Sequence, residues 1–263
     1  MPTSVKLLGY AGFADISGTN VLMTSGSFSE SYNPSYLEMI STPPTSTQAG
    51  RVQHADGTIG YTGSVGFDVH AGAMGIISSL LQRNVDFYVD MDDGTSHWRM
   101  TNCRINTLNL AGSVGGLITA DLSFMSATAK VLGSSSGIFM QDTEPAGYWY
   151  SGIGSYNVMS WNFSMSQEAD FVYRNRASST NDGEYPGYIK IGNVTYVLTV
   201  SLFEEYAPTT TNAGISIVTS DFTLTGRKTG KGFSYGGVTG IGSYTYTFET
   251  SSQTGKSDGV VLS

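Results

Sequence analysis

The sequence predicts an all-β protein with one short helix, arranged as two β modules in tandem. Three observations carry this. Strict two-residue alternation of apolar and small polar side chains recurs along the chain. Of 263 residues, 33 are Gly, 16 Tyr and 12 Phe, while charged residues are 13% against roughly 25% in an average domain. Many aromatics and few long charged side chains suit strands rather than helices. Finally, the pattern of the first half returns in the second.

In the first half, Asn20–Glu30 (NVLMTSGSFSE) reads as a strand with serines on one face. The polar segment 40–56 follows, then a second strand over 57–69. The segment 71–83 (AGAMGIISSLLQR) is the one helix candidate, with Met74, Ile77, Leu80 and Leu81 on one stripe. DFYVDMDDGTSHWRM then reads as a hairpin turning at Asp93-Gly94, a pair suited to a type I′ turn. In the strands after it, Leu108 and Leu110 alternate with Thr107 and Asn109, and Leu122 and Phe124 with Asp121 and Ser123.

The second half repeats this plan. Asn157–Gln167 overlays Asn20–Glu30 at an offset of 137 (157 − 20), with Asn, Val and two Ser identical. Gly192–Leu202 overlays Gly57–Phe67 at 135 (192 − 57), with Gly, Tyr and Val identical. A strand at 157–167, a polar segment at 174–187 and a strand at 188–203 therefore match the first half. The segment EEYAPTTTNAG, carrying Pro208, replaces the helix. Hairpin material follows: SDFTLTG and SYTYTFET, joined by a Gly-rich loop with Arg227, Lys228 and Lys231 at its tip. The expected organisation is a first β domain over 1–132, a Gly/Ser linker over 133–147, a second β domain over 148–252 and a polar tail over 253–263.

The stretch MSWNFSMS (159–166) shows what the strands have in common: Trp161, Phe163 and Met165 on one face, Asn162, Ser164 and Ser166 on the other. A one-residue slip would expose the whole apolar set, so the register is firmly specified. In the first half Phe28 occupies the apolar face, which Thr24 and Gly26 weaken. Such a polar, uncharged face suits either outer surface or the wall of an aqueous channel.

The net charge of −8 and pI near 4.7 argue against a surface built to grip nucleic acid. The lone Cys103 excludes an intrachain disulfide and reads as a buried strand thiol. The N-terminus lacks an apolar stretch of secretory type, and no apolar run is long enough to span a membrane as a helix. GSSSG (133–137) matches a nucleophile-elbow pattern but lacks the helix that motif needs. His54, His70 and His97 show no metal-ligand spacing. Counting back from Gly94 as the sixth position of a calcium loop puts Val89 and Met91 where oxygen ligands are required. No catalytic set, metal or cofactor is expected, and the chain does not read as an enzyme.

A strand, a long polar segment, a Gly-x-[Ile/Val]-x-Tyr strand, a short helix and then hairpins, in an acidic Ser/Thr/Gly-rich chain, resembles a bacteriophage tail tube (major tail) protein. The first half is the better match; the second resembles a tube domain without its helix. The resemblance implies two tandem β-sandwich or barrel modules. It also implies a structural virion subunit, assembled in the host cytoplasm, whose stacked rings form a β-barrel lumen that conducts DNA during ejection. Two modules per chain favour a trimer with pseudo-sixfold symmetry over a hexamer. The implied partners are further copies of the chain, the terminator and baseplate proteins, a sheath if the tail contracts, and DNA passing without tight binding; no membrane is implied. On this reading Ser25, Ser27, Ser29, Asn162, Ser164 and Ser166 line the lumen. Pro43, Pro44, Arg51, His54, Arg174, Arg176, Asp182 and Tyr185 lie in the loops that stack rings, and Arg227, Lys228 and Lys231 dock on an acidic neighbour. The alternative reading is a carbohydrate-binding or adhesive β-sandwich, with Tyr148, Trp149 and Tyr150 stacking on sugars.

Overall fold

The computed structural model describes residues 12–38, 52–81, 84–92, 97–113, 115–132, 158–173, 186–203, 205, 214–218, 222–235, 242–252 and 260–262. Nearly all are strand, in a 13-stranded antiparallel sheet, with one α-helix. In chain order the first half holds β1 (Gly12–Ile16), β2 (Thr19–Glu38), β3 (Val52–Asp68), a 3-10 turn (Ala71–Ala73), α1 (Met74–Leu80), β4 (Phe87–Asp92), β5 (His97–Ser113), β6 (Thr119–Ser126) and β7 (Val131–Leu132). The second holds β8 (Val158–Tyr173), β9 (Pro186–Leu202), β10 (Gly214–Val218), β11 (Phe222–Ser234), β12 (Ser243–Ser252) and β13 (Val260–Leu262).

The first half closes on itself. β1 pairs β2, β2 pairs β3, β3 pairs β6, β6 pairs β5, β5 pairs β4 and β4 returns to β1. Ser17-Gly18 turns β1 into β2 with both residues at positive φ, 50° and 91°, the conformation a two-residue hairpin requires. The Gly18 N–H donates to Asp15 Oδ1 at 2.7 Å and holds that turn.

The second half repeats the connectivity. Its spatial order β8-β9-β12-β11-β10 matches β2-β3-β6-β5-β4, and β13 sits on β11 as β7 sits on β5. The hairpins share their register: Met23↔Phe67 corresponds to Val158↔Leu202, an offset of 135 on both strands (158 − 23, 202 − 67). A bulge follows each of these pairs, between Met23 and Ser25 and between Val158 and Ser160. The β5–β6 bulge at Ile105/Thr107 likewise matches the β11–β12 bulge at Lys228/Gly230. The sequence overlay of the first strand at 137 is therefore two residues out. A slip of two keeps every side chain on its face, so alternation alone does not reveal it.

The halves share one sheet and one core. Thr107–Ser113 of β5 pair with Ser160–Ser166 of β8. Leu108, Leu110, Phe163, Met165, Tyr196 and Leu198 are buried in the same apolar cluster as Ile77 and Leu80 of α1. The buried Tyr196 hydroxyl donates to the Leu81 carbonyl oxygen at 2.8 Å, joining β9 to the end of the helix. Gln167 Nε2 donates to the Ile105 carbonyl at 2.8 Å and its Oε1 accepts from Asn84 N–H at 3.3 Å. The helix is shorter than the 71–83 expected, and its buried side chains include Ile76, Ile77 and Leu80. The 133–147 linker and the segment 206–213 lie outside the described residues.

Three expectations change. The Gly-rich segment expected as a loop is strand β11: Gly230 and Lys231 pair with Thr247 and Tyr246. A bulge beside Lys228 lets this glycine-rich strand follow β12. The polar segments are shorter than expected, because β2 and β3 continue to Glu38 and from Val52 and pair Tyr36 with His54. The end of the C-terminal tail is strand β13.

The Tyr196 bond predicts one measurable coupling between the halves. Tyr196→Phe strips the Leu81 carbonyl of a buried donor, and urea unfolding should show a loss of about 1–2 kcal/mol in a single transition. Two separated transitions would mean that the halves do not share a core.

Candidate functional site

The sheet carries one continuous polar face, built from direct cross-strand neighbours. Ser27, Ser64, Ser123, Thr107, Ser166 and Thr195 form one row across β2, β3, β6, β5, β8 and β9. Ser25, Gly66, Asp121, Asn109 and Ser164 form the next. Ala111, Asn162, Thr199 and Thr247 form a third across β5, β8, β9 and β12. Hydroxyls bond along the rows, Ser27 Oγ to Ser64 Oγ at 2.8 Å and Thr107 Oγ1 to Ser123 Oγ at 2.7 Å.

All six serine and asparagine positions singled out from the sequence therefore share one face of one sheet. Ser25, Ser27, Ser29, Asn162 and Ser166 are exposed and Ser164 is half-buried. Trp161, Phe163 and Met165 are buried on the other face, and Phe28 packs partly buried against the core. Sequence reasoning missed Ser64, Thr107, Ser123, Thr195 and Thr199 as neighbours on this face. Their alternation was legible, but their place beside Ser27 or Asn162 depends on strand pairing. The face carries few charges. Asp121 is exposed on it, and Arg104, which shares a row with Ser29, Thr62 and Met125, is paired with Asp86 at 2.5 Å. The row of Ser25 and Ser164 continues through Val197 to the opposed pair Glu249 and Arg227.

Among the strand edges without a described partner are those of β2 and β11; the outer edge of β10 is another. β2 pairs β1 only as far as Met23, so beyond it the edge away from β3 has no described partner. β11 pairs β10 only as far as Arg227, so Lys228–Ser234 lack one on that side. Thr24 to Asn33 are exposed apart from Phe28, and Phe233 and Tyr235 are 59% and 65% exposed. Lys231 pairs with Glu205 and lies over the Tyr244 ring. That contact keeps its ammonium pKa above the ordinary lysine value. Arg227 and Lys228 share its strand, not a loop tip.

Pro43, Pro44, Arg51, Arg174, Arg176, Asp182, Tyr185, GSSSG and Tyr148–Tyr150 lie outside the described residues; His54 lies in β3.

Other polar groups hold the framework. The buried Asp90 carboxylate accepts two bonds from Arg99, Nε and a terminal nitrogen each at 2.6 Å, which ties β4 to β5. Cys103 is buried, donates weakly to the Met100 carbonyl, and burial pushes its thiol up to about 12. A thiol so shifted is not a nucleophile near neutral pH. Among the described residues no group of His, Cys, Asp and Glu could hold a metal ion. No helix among them is long and apolar enough to cross a membrane.

No family model matches the chain, and no curated protein matches it.

His70 gives the fold a pH dependence. Its Nδ1 accepts from Gly72 N–H at 3.1 Å, so the neutral ring carries its proton on Nε2, which donates to the Asn20 carbonyl at 2.9 Å. Burial lowers its pKa below 6.5, and protonation would set a second N–H against that of Gly72. The unfolded chain then binds the proton more readily. This contribution is full above pH 6.5 and is lost as pH falls through the lower folded value. His70→Gln should flatten the fall in Tm as pH drops below 6.5; an unchanged slope would place the titration elsewhere.

Proposed function

We propose that this chain is a structural subunit of a phage tail tube. Its copies form stacked rings whose β-barrel lumen conducts viral DNA, and its role is assembly and passive conduction rather than catalysis. One observation carries the reading: two halves of equal strand order and register, joined edge to edge, present a single polar sheet face dominated by hydroxyls, whose cations Arg104 and Arg227 stand beside Asp86 and Glu249. Repetition of that edge-to-edge junction from chain to chain would continue the face around a ring. A wall of hydroxyls and amides within an acidic protein offers DNA no cationic grip, whereas lysines there would bind phosphates and slow transit. Three chains would supply six repeats, which favours a trimer of pseudo-sixfold symmetry. Further copies, terminator, baseplate and any sheath would be its partners, and the phage tail its location.

Electron microscopy of the purified protein should show hollow rings or tubes. A stable monomer that binds glycans would overturn the reading. Changing Ser27 and Ser164 together to Lys should leave tubes assembling while DNA delivery drops, by tenfold or more if the salt-dependent grip of several lysines per ring is engaged. Unchanged delivery through such tubes would remove those serines from the lumen.

A further inference from the structure

We infer that the edge of β11 without a partner among the described residues receives β2 of a second copy of this chain, antiparallel and in one definite register. That register places Gly230↔Ser31, Lys231↔Glu30, Gly232↔Ser29, Phe233↔Phe28, Ser234↔Ser27 and Tyr235↔Gly26. The inference deepens the assembly reading, on which it rests for the choice of partner; the register comes from the fold.

The repeat supplies a template. Within the chain, β5 of the first half accepts β8 of the second, from Thr107↔Ser166 to Ser113↔Ser160. The counterpart of β8 is β2, since the two hairpins share register and bulges. The counterpart of β5 is β11, aligned by the bulges at Ile105/Thr107 and Lys228/Gly230. Carrying each strand of the internal pair onto its counterpart gives the register above. The segments so matched both lie on edges that lack a described partner. β10 covers β11 only through Arg227, and β1 covers β2 only through Met23.

The side chains agree with that register. In the internal junction Leu110 faces Phe163, both buried; the external register sets Phe233, 59% exposed, opposite the partly buried Phe28. Leu108 faces Met165 internally, and the counterpart pair is Lys231 with Glu30, opposite charges on directly opposed positions. Gly112 lies opposite Trp161 internally; externally Tyr235, 65% exposed, lies opposite Gly26. Ser234 beside Ser27 and Gly232 beside Ser29 extend the hydroxyl rows onto the next chain. One edge of each copy meets the other edge of its neighbour, so the contact is head to tail and generates rings or helical filaments.

Paired cysteines test the register directly. Ser29→Cys with Gly232→Cys, oxidised in the full-length protein, should give interchain disulfides and a ladder of multimers on non-reducing gels. The shifted pair Ser29→Cys with Phe233→Cys should give at least tenfold less. The native Cys103 is buried and should take no part. Equal cross-linking by both pairs, or none by either, overturns the register. Phe233→Asp should abolish assembly while leaving circular dichroism unchanged and Tm lowered only by the lost contact with the Tyr244 ring; normal assembly by that folded variant also overturns it. Hollow tubes without the cross-link between positions 29 and 232 would sink this inference and leave the tube reading standing. Cross-linked solid filaments would do the reverse.

Discussion

The β5–β8 ladder is the contact on which the rest of the structure depends. β5 runs seventeen residues, but β4 follows it only as far as Cys103. Beyond that point its backbone donors and acceptors on that side need other partners, because buried peptide groups left unpaired are costly. Ser160–Ser166 of β8 supply them. The pairing carries the polar rows from the closed first half into the second. It also joins the two apolar faces into one core, which α1 meets through the Tyr196 bond to Leu81. The two halves thus differ mainly in their edges. The first is closed by β1, while the second borrows β5 on one side and on the other has no described partner for Lys228–Ser234 of β11.

Much of this was legible in the sequence. Period-two alternation separates Trp161, Phe163 and Met165 from Asn162, Ser164 and Ser166, and the structure buries the first set and turns the second to the polar face. The stripe of Met74, Ile77, Leu80 and Leu81 marked the helix, though without a capping residue it is shorter than the pattern suggested. Other features were not legible, for physical reasons. Glycines at 226, 230 and 232 look like loop residues, yet pairing with β10 at Gly226 and with β12 at Gly230 and Gly232 makes them strand. The true hairpin offset was hidden by a two-residue slip. The open edges could not be seen at all, because an edge is defined by strands distant in sequence.

The buried polar groups serve the framework. Asp90 is neutralised by Arg99, Cys103 is held as an inert thiol, and His70 bonds the backbone on both ring nitrogens. The chemical character of the chain instead lies on its broad hydroxyl-rich face and at two strand edges. The proposed assembly would use both of them at once.

The central claim is that the junction inside one chain recurs between chains. Amide hydrogen exchange compared between dilute and assembled protein tests it most directly. The account predicts that the amides of residues 25–31 and 230–235 exchange fast in the monomer. On assembly they should slow toward the protection of 107–113 and 160–166, while that internal ladder stays unchanged. Equal exchange at those edges in both states, with protection appearing elsewhere, would contradict it.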